Sequence, residues 1–485
     1  METNEQLKAD LIARAEVGIL EVIEHVQALA EGDLKGLEQV VLSACLSVGR
    51  RWLEQIMNQP RQASRPAARR EGACGHHQRL VGGRAKEVLT LMGKVTFRRP
   101  YYQCLRQTEG QQVQQAATCS GGEAPQDQLW GVGPHRTSPG VQKLVSMLCA
   151  SMTLEEATTV FESFLPLAIS ARQALNLLLP VGEQLRKKED ERVHQMQQEA
   201  AHKQSRLASA SPDQQEDLRR MYIEMDGVLL RLRRGSVPME EQEVQREGDV
   251  YREIKVGAVF AASRGRRRSE LAESTFVDEA GPLHYVARRT TAETFGTYLY
   301  ALAQHCGVER ARQVVVLGDG AHWIWRLAQE HFPKAVEIVD IWHAREHVWK
   351  VAHAAFGRST AKASAWAKHA CDLLSEGHID DLVCLIEKLP PVAPELGMSR
   401  SVPEIEADYF RSNAERMRYP RFRQQGMHIG SGIAEAACKT VVSTRAKRSG
   451  MRWTPAGLDA VLALRTAVLN GTYDQFWEGR PHLVA

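Results

Sequence analysis

The stretch Gln313-Val-Val-Val-Leu-Gly-Asp319-Gly320-Ala-His-Trp-Ile-Trp325 decides how this chain is read. Its apolar run has the character of a buried strand, and it stops at Gly318-Asp319-Gly320, where a helical pattern begins. An acid thus stands at a strand's carboxyl end, the place where open α/β sheets collect ligands and chemistry. Asp-Gly is also ordinary turn chemistry. On its own the segment leaves both readings open, a tight turn or a crevice acid.

The surroundings favour the crevice. Upstream, Met221-Tyr-Ile-Glu-Met-Asp226-Gly-Val-Leu-Leu-Arg-Leu232 is strand-like, as are residues 251–260 and 283–288, which together predict an antiparallel meander. A helix over 291–305, the strand 314–317, a helix over 323–331, a strand over 335–341 and a helix over 343–355 follow. Meander, helix, strand, helix, strand is the order of an RNase H-like sheet, an α/β fold in which the fourth strand lies beside the first. That topology would bring Asp226 to Asp319 across 93 positions of sequence. Residues 358–420 read as a polar helical insertion broken at Leu389-Pro390-Pro391 and Ala393-Pro394.

Beyond the insertion comes Gly430-Ser-Gly-Ile-Ala-Glu435-Ala-Ala-Cys-Lys439, continuing to Gly450-Met-Arg-Trp453. Ser431 suits a helix cap and Gly450 a helix end. Glu435 is either a catalytic acid or half of an ordinary i,i+4 pair with Lys439. Lys439, Arg445, Lys447, Arg448 and Arg452 follow it, as a solvated basic face or as a DNA-binding one. Asp340 and His343 either edge the site or belong to a helix that Asp340 caps. Trp342 and His347 read as helix-face and core residues.

The N-terminal half is less informative. Residues 1–72 predict helices and a Pro/Arg-rich linker, and 73–138 a β-hairpin turning at Gly93-Lys94 within a degenerate zinc-ribbon-like module. Residues 105–137 read as irregular. Residues 139–218 predict helices opened by Ser138-Pro139, with the spacing of a helix-turn-helix or of any small bundle, ending in a charged connector over 187–218. Residues 219–357 and 421–485 then form the two parts of the α/β domain around the insertion.

With 485 residues, 43% of them hydrophobic, the chain can bury sizeable cores. Its 62 Lys and Arg nearly balance 59 Asp and Glu, so the net charge of +3 announces no nucleic-acid partner; local clustering has to. The polar N-terminus and the lack of a long apolar run point to a cytoplasmic protein. Nine scattered cysteines fit reduced thiols.

Taken together, Glu-Met-Asp226-Gly, Leu-Gly-Asp319-Gly-Ala, Val-Asp340-Ile-Trp-His343 and Gly-Ser-Gly-Ile-Ala-Glu435-Ala-Ala-Cys-Lys resemble a bacterial insertion-sequence DDE transposase of the ISKra family. The likeness runs over residues 90–477 and is densest from Met221 onward. It implies that Asp226, Asp319 and Glu435 are the catalytic, metal-binding acids, that two Mg²⁺ ions (or Mn²⁺) serve as cofactors, and that DNA is the partner of a homo-oligomer in a bacterial cytoplasm. Converging carboxylates suit such ions, because their mutual repulsion calls for divalent charge. Two classes stay open beside it: a metal-dependent nuclease without strand transfer, and a transposase-derived DNA-binding protein.

The family's Cys-rich ribbon is untidy here. Cys74/His76 and Cys104/Cys119 depart from the short ligand gaps that tetrahedral zinc requires. Metal analysis of purified, chelator-treated protein should therefore find less than one zinc per chain, and a stoichiometric zinc would restore the ribbon.

Overall fold

The computed structural model describes residues 2–28, 33–59, 66–72, 75, 77–105, 121–132, 136–165, 167–204, 220–233, 250–267, 276–394 and 397–479. The chain forms two compact units, residues 1–181 with 474–485, and residues 182–473.

The first unit opens with a helical hairpin, α1 (Glu2–Gln27) and α2 (Leu34–Asn58). A four-stranded antiparallel sheet follows, β1 (Arg69–Glu71), β2 (His77–Thr90), β3 (Gly93–Cys104) and β4 (Gly122–Glu123), in that order. The β2–β3 hairpin turns at Leu91-Met92, two residues before the expected Gly93-Lys94. The reason is local: Gly93 pairs with Thr90, whose hydroxyl donates to the Gly93 carbonyl at 2.8 Å, so both belong to the ladder. Val88, Val95, Phe97 and Met57 form a small core under the sheet. Cys104 ends β3, while Cys74, His76 and Cys119 lie outside the described residues.

Of the stretch read as irregular, 106–120 also lie outside them, and Pro125–Leu129 is a short helix, α3. Next come α4 (Pro139–Ser151), α5 (Leu154–Phe164) and the 34-residue α6 (Ala171–Gln204). Ser138 caps α4 as expected, accepting from Val141 N at 3.3 Å.

In the second unit the strands are β5 (Arg220–Leu232), β6 (Val250–Arg267), β7 (Phe276–Ala280), β8 (His284–Arg288), β9 (Val314–Gly318) and β10 (Val336–Val339). Their order is β10-β9-β5-β6-β7, with β8 also paired to β6. Strand β5 is antiparallel to β6 and parallel to β9, so the fourth segment of the pattern does lie beside the first. A hairpin cannot deliver a parallel neighbour. Helix α7 (Ala292–His305) carries the chain from β8 to β9, and α8 (His322–His331) carries it on to β10. Residues 220–225 of β5 are buried without alternation, as a central strand covered on both faces must be.

Strand β7 was not legible. Its Phe-Val-Asp-Glu-Ala looks like a polar turn, yet Asp278 is buried and holds the sheet edge. It pairs with the buried Arg220 guanidinium and accepts from Tyr222 Oη at 2.7 Å. The Tyr222 oxygen in turn accepts from His428 N at 3.0 Å.

Helix α9 (Ile341–Phe356) packs with α10 (Ala361–Ser375) and α12 (Val402–Ser412), α11 (Ile379–Glu387) packs with both of these, and α13 (Tyr419–Gln424) enters the same core. Residues 358–420 are helical as expected, but they are more than a polar appendage. Ala363, Ala367, Ala370 and Leu374 recur at helical spacing and enter the same core as β9 and α9.

The opposite face of the sheet is covered by α14 (Gly432–Ala437), a π-helical turn (Cys438–Ser443), α15 (Thr444–Ala446) and α16 (Pro455–Leu469). Helix α17 (Tyr473–Glu478) ends the described elements. The helix expected to run to Gly450 therefore stops at Ala446 and contains a π turn, whose Thr440 carbonyl accepts from the buried Arg465 Nε at 2.6 Å. No described helix is long and apolar enough to cross a membrane.

Asp278→Ala should destabilise the second unit by about 3–5 kcal/mol, since it leaves a buried guanidinium without its carboxylate. Urea denaturation would measure the loss, and Asp278→Asn should cost less because it keeps an acceptor.

Candidate active site

Strand register builds the site. Met221 lies level with Val314 and Glu224 with Leu317, so two residues further on Asp226 stands level with Asp319. On the other side Val339 lies level with Gly318, which sets Asp340 level with Asp319. Three aspartates thus line up where β9 and β10 end.

Asp226 is half-buried, and its Oδ1 accepts from Gly227 N at 2.6 Å. Burial raises its pKa above the usual carboxylate range and the nearby Asp319 charge raises it further, against hydrogen bonds from Gly227 N–H and the Cys438 thiol and the pull of His343. Asp319 Oδ1 accepts from Ala321 N at 2.8 Å, a turn-type bond, while its carbonyl accepts from Tyr409 Oη at 3.0 Å. Gly320 between them has φ +100°, and a Cβ there would lie 2.7 Å from the Tyr409 ring. Both the turn and the crevice readings of Gly318-Asp319-Gly320 therefore describe the same residues.

Asp340 caps α9, accepting from Trp342 N at 2.7 Å. Its other oxygen accepts from Ser431 N at 3.0 Å and from the Ser431 hydroxyl. Ser431 occupies the N-cap position of α14 but makes no side-chain cap there, contrary to expectation. Its hydroxyl is already committed to Asp340. The capping acceptor comes instead from β5, where Glu224 Oε2 receives Ala434 N at 2.7 Å. Glu224 is 0% exposed, and burial, opposed by that amide and reinforced by Asp340, pushes its carboxyl up to about 8.

Helix α14 carries Glu435. Its carboxylate is 66% exposed and meets Lys439 Nζ at 2.6 Å, the i,i+4 pair of the neutral reading. Cys438, one turn on, bonds to Asp226 and feels the charges of Asp226, Glu435 and Asp319, which together with burial push its thiol pKa up. Asp226 and Asp319 are thus adjacent, and Glu435 borders the same thiol. Among the described residues no three His, Cys, Asp or Glu side chains stand as a ready-made metal cluster.

Beside Asp319 opens a cleft of about 730 Å³, lined by His322, His343, His347, Arg400 and Tyr409 among others. His343 faces it half-exposed, its Nδ1 3.7 Å from Glu346. His347 pairs with the buried Glu406 and stacks on Tyr409 at 3.9 Å, a wall residue as its helix-face reading implied. Trp342 is no core residue: it is 63% exposed on the first turn of α9, with the Arg345 guanidinium over its ring.

The model of the uncharacterised protein family UPF0236 matches residues 186–478. The chain belongs to that family. The match takes in every residue of the site described above. A solved structure to which this UPF0236 chain is similar is the Drosophila P element transposase strand transfer complex, at 12% identity over 69% of this chain and 80% of that one, with a TM-score of 0.22. No curated protein matches.

The basic run of this UPF0236 member divides. Lys439 is tied to Glu435, Lys447 and Arg452 are exposed, and Arg448 is half-buried. Arg445 is 2% exposed, with its guanidinium 5.0 Å from the Trp453 ring centroid, so its expected place on a DNA-binding face is withdrawn. A side chain buried against Trp453 has no route to a phosphate. Glu224 and Cys438 were missed. Glu224 was findable, because residues two apart on a strand share a face.

Glu224 keeps its proton in the folded chain from its ordinary 4.5 up to about 8, whereas the unfolded chain loses it. Stability from this group is full below 4.5 and falls as pH rises through 8. Glu224→Gln, which keeps the acceptor without the titration, should flatten that decline by on the order of a few kcal/mol in urea denaturation of chelator-treated protein.

Proposed function

We propose that this chain is a DNA transposase of the ISKra type, with an RNase H-like sheet carrying Asp226, Asp319 and Glu435 as its catalytic acids. The observation that carries it is the register setting Asp226 level with Asp319, next to the helix that bears Glu435.

Asp226 is pressed by burial and by the Asp319 charge, so a cation between them would relieve both, and their carboxylate oxygens suit Mg²⁺ or Mn²⁺. Bound there, a pair of such ions would supply activation of the attacking oxygen and stabilisation of the leaving one. Glu435 would complete the donor set by leaving Lys439, which it can do because both side chains are solvated. Glu224 and Asp340 fix where α14 begins and so how far Glu435 can reach. In the first displacement a water oxygen bonds to phosphorus at the transposon end as the bond to the 3′ oxygen breaks, leaving a 3′-hydroxyl. In the second, the oxygen of that hydroxyl bonds to phosphorus of a target phosphodiester as the bond to the target's own 3′ oxygen breaks, and the released 3′ oxygen takes up the proton. Lys447 and Arg452, exposed beyond the π turn, would hold flanking phosphates. The Glu435–Lys439 pair favours a second reading, a transposase-derived protein that binds DNA without cutting it.

Asp226→Asn, Asp319→Asn and Glu435→Gln should each lower cleavage of transposon-end DNA in Mg²⁺ by at least ~100-fold while binding persists. Wild-type cleavage by any one of them removes that acid from the set, and a wild-type chain that binds but never cuts establishes the second reading. A pre-cut 3′ end separates strand transfer from hydrolysis alone. Lys447→Ala with Arg452→Ala should weaken binding to transposon-end and random DNA by similar factors and lower the slope of log K against log salt by roughly one per lost contact.

A further inference from the structure

The α1–α2 hairpin leaves much of its apolar surface uncovered. Between its helices Val48 packs on Gly18, and the other contacts named here are polar: Arg14 donates to Gln55 at 2.8 Å, Gln55 to Asp10 at 3.0 Å, Trp52 Nε1 to the Leu11 carbonyl at 2.7 Å, and Arg51 pairs with Glu21. Other apolar side chains point outward. Ile12 is 50% exposed, Ile19 58% and Trp52 39%, and Ile23, Val26, Val41 and Ile56 are similarly bare. A soluble chain rarely leaves so continuous an apolar patch in water unless it has a use for it.

The pattern of the patch specifies what covers it. Ile12, Ala15, Ile19, Val22 and Val26 alternate steps of four and three along α1, the seam that receives another helix. On α2, Val41, Cys45 and Trp52 stand exposed or half-exposed on one face, while Val48 between them is turned onto Gly18 of α1. Leu11, Ile12, Ala15, Ile19 and Trp52 border a groove of about 500 Å³ along the hairpin. Helix α1 carries six acids against two Lys or Arg, which repels phosphate backbones and anionic bilayers. Helix α2 carries three Lys or Arg against two acids. Arg51 already pairs with Glu21 inside the hairpin, so apolar spacing and not charge selects the occupant, another copy of the same face, and a two-fold pairing covers both patches at once.

We propose that this face pairs with the same face of a second copy, forming a four-helix dimer element that needs no DNA. The area suffices: 26 residues of α1 extend ~39 Å and two helices side by side span ~20 Å, giving on the order of 800 Å² per partner, the size of a standard stable interface.

The test is sedimentation equilibrium of the full chain, without DNA, at micromolar concentration. The wild type should weigh twice its chain mass. Ile12→Glu with Ile19→Glu should raise the dissociation constant at least ~100-fold while leaving the circular dichroism spectrum unchanged, because both positions are exposed. Ile12→Ala with Ile19→Ala, gentler on the helix, should weaken the dimer by a smaller factor, and Glu24→Gln, exposed and about 120° off the seam, should leave it intact. A monomeric wild type, a Glu double variant that still dimerises normally, or a wild-type monomer that associates instead with lipid vesicles overturns the proposal. Repeating the measurement on Asp319→Asn keeps the result independent of whether the chain cuts DNA.

Discussion

Strand β5 is bonded along both edges, antiparallel to β6 and parallel to β9, and the arrangement of the second unit follows from that. A strand so placed has no solvent face over residues 220–225, so the residues there are apolar or, where polar, held by a buried partner. Arg220 and Tyr222 are committed to Asp278, and Glu224 to the amide of Ala434. Each commitment ties a distant element to the central strand. The β7 edge and the His428 segment are held through Asp278 and Tyr222, and the start of α14 through Glu224.

The same constraint explains the electrostatics. Parallel neighbours in register put residues with the same offset side by side, so Asp226 within β5 and the acids just past the ends of β9 and β10 are forced into company. Backbone amides from Gly227, Ala321, Trp342 and Ser431 answer this with one or two hydrogen bonds per carboxylate. Asp226 is not fully compensated, as the rise in its pKa shows. Glu224, deepest of all, holds a proton rather than a charge.

Much of this was legible in the sequence. Apolar runs and period-two patterns marked β5, β6, β8 and β9, and their order placed Asp226 beside Asp319 before any coordinates. Where the signal failed, tertiary context had overridden local chemistry. Strand β7 is acidic because Asp278 answers a buried arginine 58 residues away. The polar look of residues 358–420 hid an alanine stripe, since alanine packs closely without looking hydrophobic. Arg445 sat in a run of cations, and nothing in the run distinguishes the one buried against a tryptophan. Tyr409, which meets Asp319 through its hydroxyl, belongs to no motif around the acids.

The π turn at Cys438–Ser443 amounts to one surplus residue inside a helix, held open where Arg465 takes the Thr440 carbonyl. Everything before it is clocked to the sheet by Glu224, and everything after it is anchored by the buried Arg445. Losing a single residue between these two anchors would turn one end of the helix against the other by about 100°. The number of residues from Glu435 to Arg445 is thus set by two anchors that lie outside the helix itself.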